Sequence, residues 1–128
     1  MEQFYNDEKL FRAARPSKFF ISKNGQRLSP TAFKNRPKEA YVSVSRQSDR
    51  DIEDCVKSIR SIPLEGAIVS VTYSQCKEIQ VAVASHPSEN NPYHCGLING
   101  KEDVESSLLT DIQCQNLADM AIIEFKDF

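Results

Sequence analysis

The sequence predicts a single α+β domain, with a mainly antiparallel sheet of about five to six strands and two helices. Three observations predict it. Short segments alternate apolar and polar residues with a period of two, and two longer ones carry apolar residues at helical spacing. The connections between successive strand segments are mostly short, which suits antiparallel neighbours. The 128 residues fit one domain over positions 1–128, and 40% hydrophobic with 27% charged residues is the composition of a folded chain.

The elements follow in order. Residues 1–8 hold three acids and are expected to form a flexible or loosely packed terminus. Residues 9–14 (KLFRAA) form a short strand that Pro16 ends. Residues 17–40 are irregular, with a turn at Asn24-Gly25 and a short helical turn started by Ser29 as cap and Pro30 at its first position. Tyr41–Arg46 alternates cleanly, placing Tyr41, Ser43 and Ser45 on one face and Val42 and Val44 on the other. Ser48 caps an amphipathic helix over 48–61, and Pro63 stops it. The runs 66–73 and 79–85 are strands, and the short SQCKE between them predicts a hairpin. A polar loop with two prolines leads to a strand at 93–98. A second helix over 104–120, imperfect at Thr110, precedes a closing strand at 121–125.

Charge is segregated along the chain. From Lys9 to Arg46 there are ten basic residues and one acid, Glu39, a local net of +9. The preceding eight residues carry −3 and residues 47–128 carry −8, so the total of −2 conceals the contrast. Gathered on one surface, such a segment attracts anions, and its interleaved Phe11, Phe19, Phe20, Phe33 and Tyr41 offer rings for bases. The same aromatics equally serve as core anchors, and the cations as a solvated outer side.

Other chemistry has few anchors. No Gly-rich phosphate loop, H-E-x-x-H or G-x-S-x-G motif occurs. Cys55, Cys76, Cys95 and Cys114 are too far apart in sequence for clustered zinc ligands, and their flanks share no repeat. They are expected to be buried free thiols in a reducing compartment, the cytoplasm, with no metal and no cofactor. No apolar run nears the roughly 18 residues a membrane span needs, and the acidic start has no leader-like apolar stretch. His86 and His94 flank one loop and are candidates for proton transfer or phosphate contact. Arg12 sits among apolar neighbours, where a guanidinium needs an anion or acceptors.

Short strings carry two resemblances. Ser29-Pro30-Thr31-Ala32-Phe33-Lys34, then Val42-Ser43-Val44 and Asn91-Pro92-Tyr93-His94, are similar to a family of small prokaryotic proteins of unassigned function. That resemblance spans about Arg12 to His94 and implies one neighbourhood of Arg12, Ser29, Phe33, Lys34, Ser43, Asn91 and His94. The pieces "LFR" and "SVS" resemble the Arg–Ser–Glu arrangement of ADP-ribosyltransferases, which hold NAD; Glu78, Glu89 and Glu124 are the acids available. The resulting expectation is a binding module for a phosphate-bearing ligand, a nucleic acid or a nucleotide, with no membrane. Arg12, Lys34 and Arg36 would supply charge, Ser29, Ser43 and Asn91 hydrogen bonds, and His94 an adjustable donor. The alternatives are an immunity or antitoxin-type protein that inhibits a protein partner through its polarised charge, and an ADP-ribosyltransferase-like enzyme.

Overall fold

A computed structural model describes residues 3–14, 28–35, 37–60, 66–86, 91–101 and 106–126. Six antiparallel strands form one sheet: β1 Lys9–Ala14, β2 Val42–Arg46, β3 Ala67–Thr72, β4 Val81–Ser85, β5 His94–Asn99 and β6 Ile122–Lys126, in the order β4-β5-β2-β1-β3-β6. Three α-helices, α1 Ile52–Arg60, α2 Tyr73–Glu78 and α3 Asp111–Met120, and a 3₁₀ turn at Pro30–Phe33 complete the described elements. The α+β class and the single antiparallel sheet expected from alternation are present, with one helix more than expected.

Alternation along the strands sorts the core into two layers. Leu10, Ala14, Val42, Val44, Val69, Val71, Cys95 and Leu97 point to a first face. There they meet Phe33 of the 3₁₀ turn, Cys76 of α2 and Leu117 of α3. The second face has a smaller cluster, in which Phe11 and Ile68 pack under Cys55, Val56 and Ile59 of α1, with Phe125 beside them. Among the described residues the larger cluster lies on one side of the sheet and the smaller on the other.

Several local expectations change for identifiable reasons. The segment after β3 is a helix, because Thr72 and Gln75 form a reciprocal capping box: Thr72 Oγ1 accepts from Gln75 N at 3.2 Å and Gln75 Oε1 from Thr72 N at 2.9 Å. This α2 carries the chain across to the far edge, so β3 and β4 are not a hairpin. Helix α1 starts later than expected, since Asp51 Oδ1, and not Ser48, accepts from the N–H three residues on, at 2.8 Å. Ser48 instead adopts a positive φ of 57° and donates its N–H to Glu8. The irregularity at Thr110 is the start of α3, capped by Thr110 with Gln113.

Residues 3–8 are anchored and not loose. Glu8 is fully buried, Phe4 stacks on Tyr73 at 5.1 Å, and Tyr5 Oη donates to the Ser48 carbonyl at 2.6 Å.

None of the four cysteines forms a disulfide, and all four are buried. Burial pushes the thiols of Cys55 and Cys114 up and that of Cys76 to about 12. At pH 8 none of the four is expected to react with a disulfide reagent in the folded protein, and all four are expected to react in denaturant. Thiol titration in buffer and in urea checks this.

Candidate functional site

Among the described residues, the second face of the sheet is only half covered. Helix α1 packs over β1, β3 and β6, and among the described residues no helix lies over β2, β5 and β4. The residues facing this open half are Ser43 and Ser45 of β2, His94, Gly96 and Ile98 of β5, and Ala82 and Ala84 of β4. Most are half-buried, and His86, just beyond β4, is exposed.

Tyr41 precedes β2 and lays its ring across β5. A Cβ on Gly96 would come within 2.5 Å of Tyr41 Cδ2 and 2.6 Å of Cγ, so the ring occupies space that only glycine leaves. His86 stacks on Tyr41, with ring centroids 4.7 Å apart and planes 12° from parallel. His94 meets Tyr41 edge-on at 5.8 Å. The two imidazoles converge because their backbones pair: His86 N donates to His94 O at 2.8 Å. His94 Nδ1 lies 3.1 Å from His86 O, and a carbonyl can only accept. Nδ1 therefore carries the hydrogen, which leaves Nε2 of the neutral ring as an acceptor. Ser43 stands opposite Gly96 and Ser45 opposite His94, placing two hydroxyls beside the rings.

Of the residues nominated by sequence, Ser43 and His94 meet here. Asn91 shapes their approach. Its Oδ1 accepts from Tyr93 N at 3.1 Å and its carbonyl from His94 N at 3.3 Å, which sets where β5 begins. The others lie elsewhere. Arg12 shares the first face with Leu10 and Ala14, is 9% exposed, and donates to main-chain carbonyls, from Nε to Ala32 and from Nη1 to Ser43 at 2.7 Å. It bridges β1, β2 and the 3₁₀ turn by setting the guanidinium fork on backbone acceptors. Ser29 caps the 3₁₀ turn, its Oγ accepting from Thr31 N and Thr31 Oγ1. Lys34 is exposed just past that turn. Arg36, with the Asn24-Gly25 turn, lies outside the described residues. The single neighbourhood implied by the resemblance is thus divided by the sheet.

The basic segment does not gather into one receptor among the described residues. Lys9 pairs with Glu124, whose Oε2 also accepts from Ser70 Oγ at 2.6 Å. Arg46 pairs with Glu8, and Arg12 is held by carbonyls. Lys34 and Lys38 are exposed and make no ion pair among the described residues. Arg15, Lys18, Lys23 and Arg27 lie outside the described residues, as Arg36 does. Nor do Arg12, Ser43 and Glu124 assemble an Arg–Ser–Glu site. The Ser43 side chain is across the sheet from Arg12, and Glu124 is on β6, three places from β2. Glu78 is exposed at the end of α2, and Glu89 lies outside the described residues.

Sequence reasoning placed Tyr41 and Ser43 on one strand face and named His86 as a candidate. What it lacked was the pairing that puts Gly96 under the Tyr41 ring. No group of three or more potential metal ligands occurs among the described residues, and no described helix is long and apolar enough to cross a membrane. Comparison of the chain with protein-family models, with curated proteins and with solved structures finds no match in any of the three.

Proposed function

We propose that this protein is a small binding module that receives a phosphate-bearing ligand, a nucleotide or a single-stranded nucleic acid, on the open half of its sheet. The observation that carries the reading is the Tyr41 ring seated over Gly96 and flanked by two imidazoles and two serine hydroxyls. The exposed His86 ring, stacked on Tyr41, has a face left for a base, and such stacking is worth about 1–3 kcal/mol per base. His94 Nε2 and the hydroxyls of Ser43 and Ser45 suit sugar and phosphate oxygens. The exposed Lys38, three residues before Tyr41, suits the backbone charge. Buried thiols fit a reducing compartment such as the cytoplasm.

Fluorescence anisotropy with labelled ten-nucleotide RNA and DNA, repeated over a salt series, tests the proposal. Binding is expected to weaken with salt by about 0.7 in log–log slope per phosphate contacted. Tyr41→Ala, which removes the ring supporting His86, is expected to lower affinity roughly 5- to 150-fold, the equivalent of one lost stack. Absence of binding at low salt, or affinity indifferent to Tyr41→Ala and His94→Ala, would overturn it.

A second reading has one observation of its own. Asp49, Asp51, Glu53 and Asp54 are all exposed around the start of α1, a surface suited to an inhibitor that covers a basic site on a protein partner.

A further inference from the structure

We infer that the outer edge of β4 is a docking line for an extended acidic segment of a partner protein, added to the sheet as a seventh strand. Among the described residues, strand β4 ends the sheet, with β5 on its inner side. In an antiparallel ladder, residues alternate between pointing their N–H and C=O toward the partner and away from it. His86 N donates to His94 O and Gly100 N to Gln80 O, so the even-numbered residues from 80 to 86 face β5. Val81, Val83 and Ser85 therefore direct their main-chain groups outward, and Val83 and Ser85 are half-buried.

The two edges of the sheet differ in how they are guarded. Strand β6 carries Glu124 and Lys126, and its register with β3 shifts between Ile68 and Val69, both devices that discourage further pairing. Strand β4 reads VAVAS and has no charge, proline or bulge. Its side chains are small enough to admit a neighbouring backbone. This is the arrangement used when a peptide adds a strand, with main-chain hydrogen bonds giving affinity and pockets for alternate side chains giving specificity.

One such pocket lies beside this edge. A groove of about 830 Å³ runs between Val83 of β4, Tyr73 and Lys77 of α2, and Phe4 and Asn6 of the N-terminal segment. Its aromatic wall is fixed, since Arg46 lies 4.0 Å from the Phe4 ring centre, Phe4 stacks on Tyr73, and the Lys77 ammonium lies 4.8 Å from the Tyr73 centre. The ring faces are therefore occupied, and what the groove offers is charge. Lys77 Nζ donates to Asn6 Oδ1 at 2.8 Å and makes no ion pair among the described residues, so an ammonium with three hydrogens has donors left for a carboxylate. An added strand would send every second side chain to the Val83 side of the sheet, toward this groove. A glutamate or aspartate there answers the charge of Lys77. A second copy of β4 would bring only valine, alanine and serine, and five paired residues fall well short of the roughly 1,000 Å² a stable dimer interface needs.

The test uses the ¹⁵N-labelled protein and two capped nine-residue peptides, one alternating valine with glutamate and the other valine with lysine. The glutamate peptide is expected to slow amide exchange at Val83 and Ser85 and to bind at least tenfold more tightly than the lysine peptide. Lys77→Glu, an exposed change, is expected to reverse that preference. Failure of both peptides to protect these amides at millimolar concentration would overturn the inference, as would equal binding of the two peptides. Amides already protected in a free protein that sediments as a dimer would overturn it in favour of a second copy.

Discussion

Replacing Glu8 by alanine is expected to lower the unfolding free energy by about 3–5 kcal/mol, the usual consequence of removing one partner of a buried ion pair. Glu8 is wholly buried and accepts four hydrogen bonds: Arg46 Nε at 2.8 Å, Arg46 Nη2 at 2.9 Å, Ser48 N at 2.7 Å and Tyr5 N at 3.3 Å. Without it, a nearly buried guanidinium has lost its counter-charge, and the positive φ of Ser48 has lost the contact that rewards it. Burial by itself would raise the Glu8 carboxyl, but the hydrogen bonds from Arg46, Ser48 and Tyr5 outweigh it and hold the group below its ordinary value. The pH dependence follows with a definite sign. A carboxyl whose value falls on folding contributes stability above its unfolded value, about 4.3, and loses it as pH falls through the folded one. Urea unfolding at pH 7, 5 and 3 should show the native protein losing stability in the acidic range, with Glu8→Gln less stable at pH 7 and flatter below pH 5. A Glu8→Ala protein within 1 kcal/mol of the native one would remove Glu8 as the anchor of the N-terminal segment.

Gly96→Ala is expected to evict Tyr41 from the open half of the sheet. The new methyl would overlap the part of Tyr41 nearest its backbone, coming within 2.9 Å of its Cβ as well as against its ring, so a rotation about the far bonds cannot relieve it. Overpacking of this kind costs typically 1–3 kcal/mol. Affinity for the RNA and DNA oligomers should fall to that of Tyr41→Ala. The double variant distinguishes a local clash from general damage to β5. If the clash is the cause, Tyr41→Ala should recover most of the stability lost by Gly96→Ala, a coupling that chemical denaturation of the four proteins would measure. Additive losses would contradict the assigned packing.

Elements governed by local pattern were legible in the sequence. Alternation in YVSVSR, GAIVSVTY and IQVAVAS located β2, β3 and β4, and Ser29-Pro30 located the 3₁₀ turn. The missed helix also had a local signal, because Thr72-Tyr73-Ser74-Gln75 is a capping box by composition, as is Thr110-Asp111-Ile112-Gln113. A short polar link between two strands resembles a hairpin turn, and that reading concealed the box. Side-chain roles set by distant partners were not legible. Arg12 finds Ala32 twenty residues away, and Lys9 finds Glu124 across 115 residues. A cluster of cations in sequence therefore said little about cations in space. The site was half legible: strand parity gave Tyr41, Ser43 and Ser45 a common side, but their meeting with His86, His94 and Gly96 depends on which strands become neighbours.

The strand order also constrains how the molecule is put together. The first strand made is an interior one, and the next two flank it, so a ribosome delivers the middle of the sheet before its margins. The fourth breaks this outward sequence. It has no seat until the fifth has taken its place beside the second, and must wait or arrive already joined to it. Among the described residues, that margin of the sheet is thus built from a strand whose neighbour is synthesised after it.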